Sequence, residues 1–146
     1  MSKPEMTEGP QARQRFEEVF QFNVERRIMD SLAPEKWEEL KAALQKKAGI
    51  APIKLKCEED AVNSFSVIRY RDNGDYWKAL RLHFDPAVPR ITWHCRGFSA
   101  RKGTITFRVQ ESSLLLVIDE ESGRGEIVTF IDLIELLFSC ASDSKP

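Results

Sequence analysis

The sequence is poor in cysteine and has no long apolar run. Its three cysteines, Cys57, Cys95 and Cys140, are an odd number at wide spacing among 146 residues. This pattern does not suit a disulfide framework, so we interpret the cysteines as reduced core residues. No stretch reaches the roughly 18–20 apolar residues of a membrane-spanning helix, and the first residues lack the apolar segment of a signal peptide. We therefore predict a cytoplasmic protein with no membrane partner.

The spaced motifs of metal and catalytic sites are also missing. There is no Cys-x-x-Cys or His-x-x-x-His pair, and the adjacent His94 and Cys95 would point to opposite faces of a strand. There is no Gly-x-Ser-x-Gly turn, and Gly123-Arg124-Gly125 is not followed by the Lys-Ser or Lys-Thr of a phosphate loop. We therefore predict no metal, no cofactor and no catalytic residue. A function other than catalysis is favoured, although an enzyme is not excluded.

Charge is ordinary in amount but uneven along the chain. Hydrophobic residues make up 42% of the sequence and charged residues 31%, which is typical of a globular domain with one core. The formal net charge is −1. Residues 61–110 carry nine Lys and Arg against three Asp and Glu, whereas residues 111–146 carry two against eight. This asymmetry indicates an anionic partner, or neutralisation within the chain or across a dimer.

The period of the apolar residues changes near Pro52. Before it, apolar residues recur at i, i+3 and i+4, which predicts a helix from about Gln11. Pro34 interrupts the pattern and suits the first position of a second helix, which Gly49 would end. The stripe of the first helix consists of Phe16, Val19, Phe20, Val24, Ile28 and Leu32. Residues 1–10, which include Gly9-Pro10, are predicted to be a disordered tail.

Short alternating strands follow Pro52 and continue to about Asp119. The Asp72–Asp75 segment predicts a hairpin turn, and Pro86 and Pro89 predict a loop. We predict about six mainly antiparallel strands in a meander, closed by one apolar helix from about Phe130 to Ser139 that is fully buried on the sheet or against a second copy. The result is a single α+β domain over residues 11–142, with a disordered tail over residues 143–146.

Alternation divides the predicted sheet into a core face and a polar face. The polar face could bind phosphate or another anion, because the planar guanidinium of arginine suits such groups. Trp77 would supply an aromatic ring there. The predicted anion-binding residues are Arg69, Arg71, Arg81, His83, His94, Arg96 and Arg108. The simpler interpretation is a solvated polar face, since a half-buried sheet must present polar residues to water.

Three function classes remain. The favoured one is a non-catalytic binding or protein-interaction domain that forms a homodimer or binds a protein partner, because no catalytic motif is present. The second is a small-molecule carrier or enzyme with a pocket between helices and sheet. That pocket would be lined by Phe20, Trp37, Tyr76, Trp93 and Phe107. The third is a binder of nucleic acid or another anion on the polar face. Nucleic acid is disfavoured because a row of stacking aromatics is missing.

Overall fold

The computed structural model describes residues 10–97, 101–121 and 123–145. The elements are α1 (Pro10–Ile50), β1 (Leu55–Ala61), β2 (Ser64–Tyr70), β3 (Tyr76–Asp85), β4 (Arg90–Cys95), β5 (Arg101–Gln110), β6 (Ser113–Glu120), β7 (Glu126–Val128) and α2 (Phe130–Ser142). The predicted α+β class, with an antiparallel meander sheet and a C-terminal helix, is confirmed. The tail predicted over residues 1–10 lies outside the described residues, apart from Pro10.

A single helix, α1, replaces the two N-terminal helices that the sequence predicts. Pro34 lies inside α1 and its side chain is exposed. An internal proline removes one helical hydrogen bond, which costs about 3 kcal/mol. Met29 and Ala33 before the proline, and Trp37 and Leu40 after it, nevertheless lie on one stripe that packs on the core. Packing along this stripe outweighs the missing hydrogen bond, so the helix continues through the proline.

The sheet has seven strands, not six, and each strand pairs with the next one in the chain. The β2–β3 hairpin forms where the sequence predicts it, with Gly74 at φ +95° and the Asn73 side chain accepting a hydrogen bond from the Asp75 amide at 3.0 Å. The additional strand is β7, which pairs with residues 116–118 of β6. Three residues are too few to show an alternating pattern, so the sequence does not reveal this strand.

Both helices cover the same face of the sheet, and the core lies between the helices and the sheet. The ring of Trp37 stacks on Phe84 with centroids 5.6 Å apart and meets Phe65 edge-on at 6.5 Å. Alternate residues of β3, β4 and β5 complete this core, namely Leu80, Leu82, Phe84, Ile91, Trp93, Cys95, Ile105 and Phe107. The intervening residues of the same strands face the uncovered side of the sheet.

The second helix, α2, packs beside α1 through one side only. Its buried residues are Leu133, Ile134, Leu137, Cys140 and Ala141. On its other side Ile131 is 72% exposed, and the exposed Glu135 pairs with Lys47 of α1 at 2.6 Å. The predicted complete burial of this helix is therefore wrong. Contacts with the sheet and α1 bury its apolar side, so a second copy is not needed to cover it.

The residues after α2 are hydrogen-bonded to side chains of β2 and β3. Arg69 of β2 donates hydrogen bonds to the carbonyl oxygens of Ser142 and Ser144, the latter at 3.0 Å. The indole N–H of Trp77 donates to Ser144 Oγ at 2.8 Å, and Ser144 is buried. The C-terminal tail predicted from residue 143 is thus anchored through Ser144, while Pro146 lies outside the described residues. Neither helix of the described chain has the length and apolarity to cross a membrane.

Candidate functional site

An open groove crosses the face of the sheet that the helices leave uncovered. Its volume is about 640 Å³, which lies within the range of small-molecule sites. Strands β1 to β6 all contribute to it, so the groove runs across the strands. Its charged and hydroxyl-bearing residues are Asp60, Ser64, Lys78, Arg81, His83, Thr92, His94, Lys102, Thr104, Asp119, Glu120 and Glu121.

The strand register places three basic side chains in one line across the groove. Arg81 of β3 is opposite His94 of β4, and His94 is opposite Lys102 of β5. Opposite residues of an antiparallel pair have Cβ atoms about 4.5–5.5 Å apart on the same face. We call Arg81, His94 and Lys102 the cationic row.

A second line runs parallel to the first, two residues away along each strand. His83 is opposite Thr92, Thr92 is opposite Thr104, and Thr104 is opposite Asp119 of β6. Ser64 of β2 extends the line, with its Oγ 3.0 Å from His83 Nδ1. We call His83, Thr92, Thr104 and Asp119 the hydroxyl row. It offers hydroxyl and imidazole groups that donate or accept hydrogen bonds, with a carboxylate at one end.

The cations that line the groove differ in their partners. Lys78 pairs with Asp60 at 3.0 Å, and Lys102 pairs with Glu121 at 3.6 Å. Among the described residues, no carboxylate oxygen lies within 4.0 Å of the Arg81 guanidinium. Arg81 therefore keeps its donors available for a ligand in the middle of the groove.

His94 lies between two cations, Arg81 and Lys102, at the centre of the groove. Burial lowers the pKa of His94, and the charges of Arg81 and Lys102 lower it further. The protein thus disfavours a third positive charge in the cationic row. An anion bound beside His94 would relieve this repulsion.

Asp119 contributes an unused acceptor at the end of the hydroxyl row. Its Oδ1 is shielded from solvent and has no hydrogen-bond partner in the described part of the chain. A shielded carboxylate oxygen without a donor is unfavourable, so a ligand hydroxyl at this position would be stabilising. Glycine at residue 103 allows the backbone of Asp119 to lie this close to β5. A Cβ on Gly103 would overlap the carbonyl oxygen of Asp119 and lie 2.9 Å from Glu120 Cα.

The residues predicted to bind anions are not all brought together. Arg81, His83 and His94 line the groove, and Arg108 is exposed on the same face but outside the groove. The remaining three lie elsewhere, namely Arg69, Arg71 and Arg96. Arg69 faces the helices because it lies on the same side of β2 as the core residues Phe65 and Val67, and it binds the end of α2. Arg71 lies over the Trp77 ring at 5.4 Å, and Arg96 lines a separate cavity near Cys140.

Trp77 also lies on the helix side, contrary to its predicted place on the polar face. In the pairing of β2 with β3, Val67 is opposite Leu80 and Ile68 is opposite Lys78, so Ala79 has no partner. This bulge reverses the alternation of β3, turning Trp77 towards α2 and Lys78 into the groove.

The aromatic residues predicted to line a pocket are not brought together. Trp37, Trp93 and Phe107 are buried in the core, where they fill the space between helices and sheet. Phe20 is 60% exposed on α1, and Tyr76 is 66% exposed at the start of β3. Because three of these side chains fill the core and the other two are exposed, the five do not line a common pocket.

The sequence alone does not predict that Lys102 and Asp119 belong to the site. Both depend on which residues stand opposite each other in β4, β5 and β6, and single strands do not reveal that register. Gly103 is the available signal, since a glycine inside a strand marks a bulge or a close backbone approach.

A second surface is the N-terminal part of α1, residues 11–23. Arg26 donates hydrogen bonds to the carbonyl oxygens of Ala87 at 2.6 Å and Val88 at 2.7 Å, which fixes the helix to the β3–β4 turn. From Arg13 to Asn23 every residue is exposed. Four large apolar side chains in this segment are 60–71% exposed, namely Phe16, Val19, Phe20 and Phe22.

No family model, no curated protein and no solved structure matches this chain. In the part of the chain that the structure describes, no three His, Cys, Asp or Glu side chains are grouped to hold a metal ion. Function therefore has to be inferred from the chemistry of the groove and of the exposed helix segment.

Proposed function

We propose that the protein is a non-catalytic binding domain whose groove takes a small anionic ligand that carries hydroxyl groups. The observation that carries this proposal is the Arg81 guanidinium, which faces the groove without a carboxylate partner among the described residues. Lys102 and His94 stand beside it in the cationic row. A phosphate or carboxylate there would receive charge-assisted hydrogen bonds.

The hydroxyl row supports the proposal that the ligand carries hydroxyl groups. Thr92 and Thr104 offer hydroxyls next to the cationic row, and Asp119 offers the acceptor that lacks a donor. A sugar phosphate or sugar acid presents both an anion and several hydroxyls. Such a ligand can use both rows at once, which a simple inorganic anion cannot do.

A binding role fits the groove better than nucleophilic catalysis does. Ser64 and His83 form a hydroxyl–imidazole pair, but no carboxylate of the described residues hydrogen-bonds the imidazole to orient it. A nucleophilic serine requires a base that is itself oriented by a third group.

A small ligand also fits better than single-stranded nucleic acid. Trp93 is the one aromatic residue among those that line the groove, and only 2% of its surface is exposed because its side chain packs in the core. Binding of single strands relies on exposed aromatic rings on which bases stack. Acidic residues at both ends of the groove, Asp60 and Glu121, would also repel a continuing phosphate chain.

Thermal unfolding with a panel of sugar phosphates and sugar acids tests this proposal, followed by calorimetric titration of the best member. We expect Arg81→Ala to weaken binding by about 10–100-fold, the loss expected for hydrogen bonds to a charged group. Arg108→Ala is the matched control, because it removes the same charge from the same face outside the groove.

Three results would count against the groove as the binding site. One is that no sugar phosphate or sugar acid of the panel raises the midpoint temperature of unfolding more than the corresponding uncharged sugar does. Another is an equal loss of affinity in Arg81→Ala and Arg108→Ala, which would indicate general electrostatic attraction. The third is tight oligonucleotide binding with a steep salt dependence, which would favour nucleic acid.

A second candidate function is self-association through α1, with a second copy of the chain as the partner. The exposed segment presents Phe16 and Phe20, whose rings stack with centroids 6.4 Å apart, together with Val19 and Phe22. Residues 11–16 carry two arginines and no acid, whereas residues 17–25 carry three glutamates and no base. An antiparallel pair of these helices would match apolar surface with apolar surface and opposite charges with each other.

Light scattering of the full chain tests this self-association. We expect a dimer at high micromolar concentration that dissociates in Phe16→Glu/Phe20→Glu, because both substitutions place charges at exposed positions of the apolar stripe. The control is Ile131→Glu on α2, where the side chain is 72% exposed, checked for folding by circular dichroism. A monomer at all concentrations would contradict the proposal.

A cytoplasmic location is proposed with the binding function. Cys57, Cys95 and Cys140 are free thiols in the structure, which is the usual state of cysteines in reducing compartments.

A further inference from the structure

Two of the three cysteines are neighbours, although the sequence separates them by 44 residues. Cys95 ends β4 and Cys140 lies in α2, and both line a small cavity of about 200 Å³. The other residues of this cavity are Arg96, Gly97, Arg101, Ser139 and Asp143. The two side chains are only 5% and 6% exposed, so a reagent has to reach them through this cavity.

Arg101 gives the two thiols different chemical environments. Its Nη1 lies 3.4 Å from Cys140 Sγ, and the same guanidinium pairs with Glu120 of β6, which holds it in place. Contact with the Cys95 thiol and the charge of Arg101 lower the pKa of Cys140, against the effects of burial, Glu120 and Asp143. Cys140 is therefore the thiol that more readily becomes a nucleophilic thiolate.

The pKa of Cys95 moves in the opposite direction. The neighbouring Cys140 and burial both raise it. Cys57 is separate from this pair, and burial raises its pKa to about 11. The chain thus contains one activated thiol, one adjacent thiol that remains protonated, and one isolated thiol of low reactivity.

We propose that Cys140 and Cys95 form a dithiol that a peroxide converts into a disulfide, linking α2 to β4. Cys140 is the attacking thiol, Cys95 is the resolving thiol, and Arg101 is the positioning residue. The two thiols line a cavity separate from the groove, and the two sites share only Glu120, which lines the groove and pairs with Arg101.

The reaction balances with hydrogen peroxide as the oxidant. The Cys140 thiolate attacks one peroxide oxygen, the O–O bond breaks, and hydroxide leaves and takes a proton to become water. Cys140 is then a sulfenic acid. The sulfur of Cys95 attacks the sulfur of Cys140, the S–O bond breaks, and the hydroxyl leaves as water with the Cys95 proton. Two thiols and one peroxide give one disulfide and two waters.

Thiol counting and intact mass of the full chain test this proposal. After a brief treatment with equimolar peroxide, we expect two of the three thiols to disappear and the mass to fall by two hydrogens. A peptide map without reductant should join the segments that contain Cys95 and Cys140. Dithiothreitol should restore all three thiols.

Single substitutions assign the roles. Cys57→Ser is the matched control and should oxidise as the unsubstituted chain does. In Cys95→Ser, dimedone should trap a sulfenic acid at Cys140, whereas Cys140→Ser should react with peroxide at least about tenfold more slowly. Arg101→Gln should slow the first step by about tenfold, because the charge that favours the thiolate is lost. Circular dichroism confirms that each variant is folded.

The proposal is overturned if the peptide map shows no bond between Cys95 and Cys140, if Cys57 reacts as fast as Cys140, or if Cys140→Ser retains the rate of the unsubstituted chain. It is also overturned if dimedone labels Cys95 instead of Cys140. None of these results depends on ligand binding in the groove, so the two proposals can fail separately.

Discussion

Replacing Trp37 with alanine should lower the free energy of unfolding by about 3–5 kcal/mol, the usual cost of truncating a large buried aromatic residue. The Trp37 side chain is 2% exposed and stacks on Phe84, with Phe65 at its edge. It lies near the middle of the stripe through which α1 covers the sheet. Its removal would leave a cavity between the helix and the sheet, which denaturant unfolding would measure.

Two further variants separate this packing effect from other causes. Trp37→Phe keeps an aromatic ring and removes an indole N–H that has no acceptor in the described structure, so it should cost much less than alanine. Phe20→Ala removes a ring that is 60% exposed on the same helix and should change stability by less than about 0.5 kcal/mol in the monomer. A loss below about 1 kcal/mol in Trp37→Ala would show that α1 is peripheral to the core.

The second large effect is expected at Gly103, where the backbone of β6 lies in the space that a Cβ on β5 would occupy. A Cβ at this position would overlap the Asp119 carbonyl oxygen and lie 2.9 Å from Glu120 Cα, and both of these atoms belong to the backbone. Backbone cannot move aside as the end of a flexible side chain can. We expect Gly103→Ala to cost about 3 kcal/mol in denaturant unfolding and to weaken ligand binding, because Asp119 would be displaced.

Gly49→Ala is the control for the general effect of replacing a glycine. Gly49 lies in the last turn of α1, with no atom within 4 Å of the position of an added Cβ. Alanine there should be neutral or stabilise the protein by up to about 1 kcal/mol, since it favours the helix. Equal stability of Gly103→Ala and the unsubstituted chain would contradict the close approach of β5 and β6.

The sequence predicts the fold class because the change of period at Pro52 separates helix from sheet. It does not predict that α1 continues through Pro34, because packing against the sheet outweighs a local rule about proline. Nor does it predict the bulge at Ala79, which moves Trp77 to the helix side. Local patterns describe single elements, whereas these features depend on contacts between elements.

The candidate site is predictable only in part, for the same reason. The alternation of apolar and polar residues along β3 and β4 is sufficient to place Arg81, His83 and His94 on one face of the sheet. Lys102 and Asp119 join them only through the register of β4, β5 and β6. The closeness of Cys95 to Cys140 depends on where α2 packs, and no spacing in the sequence encodes that contact.

Backbone amide NMR during titration with the best anion of the sugar panel tests whether the ligand binds in the groove. We expect the largest chemical-shift changes at Arg81, His94, Lys102, Thr104 and Asp119, and we expect them to saturate together. Arg81→Ala should abolish these changes, while Arg108→Ala should preserve them. Shifts that centre on α1 or on the α2 side of the sheet, with the groove unaffected, would show that the groove is not the binding site.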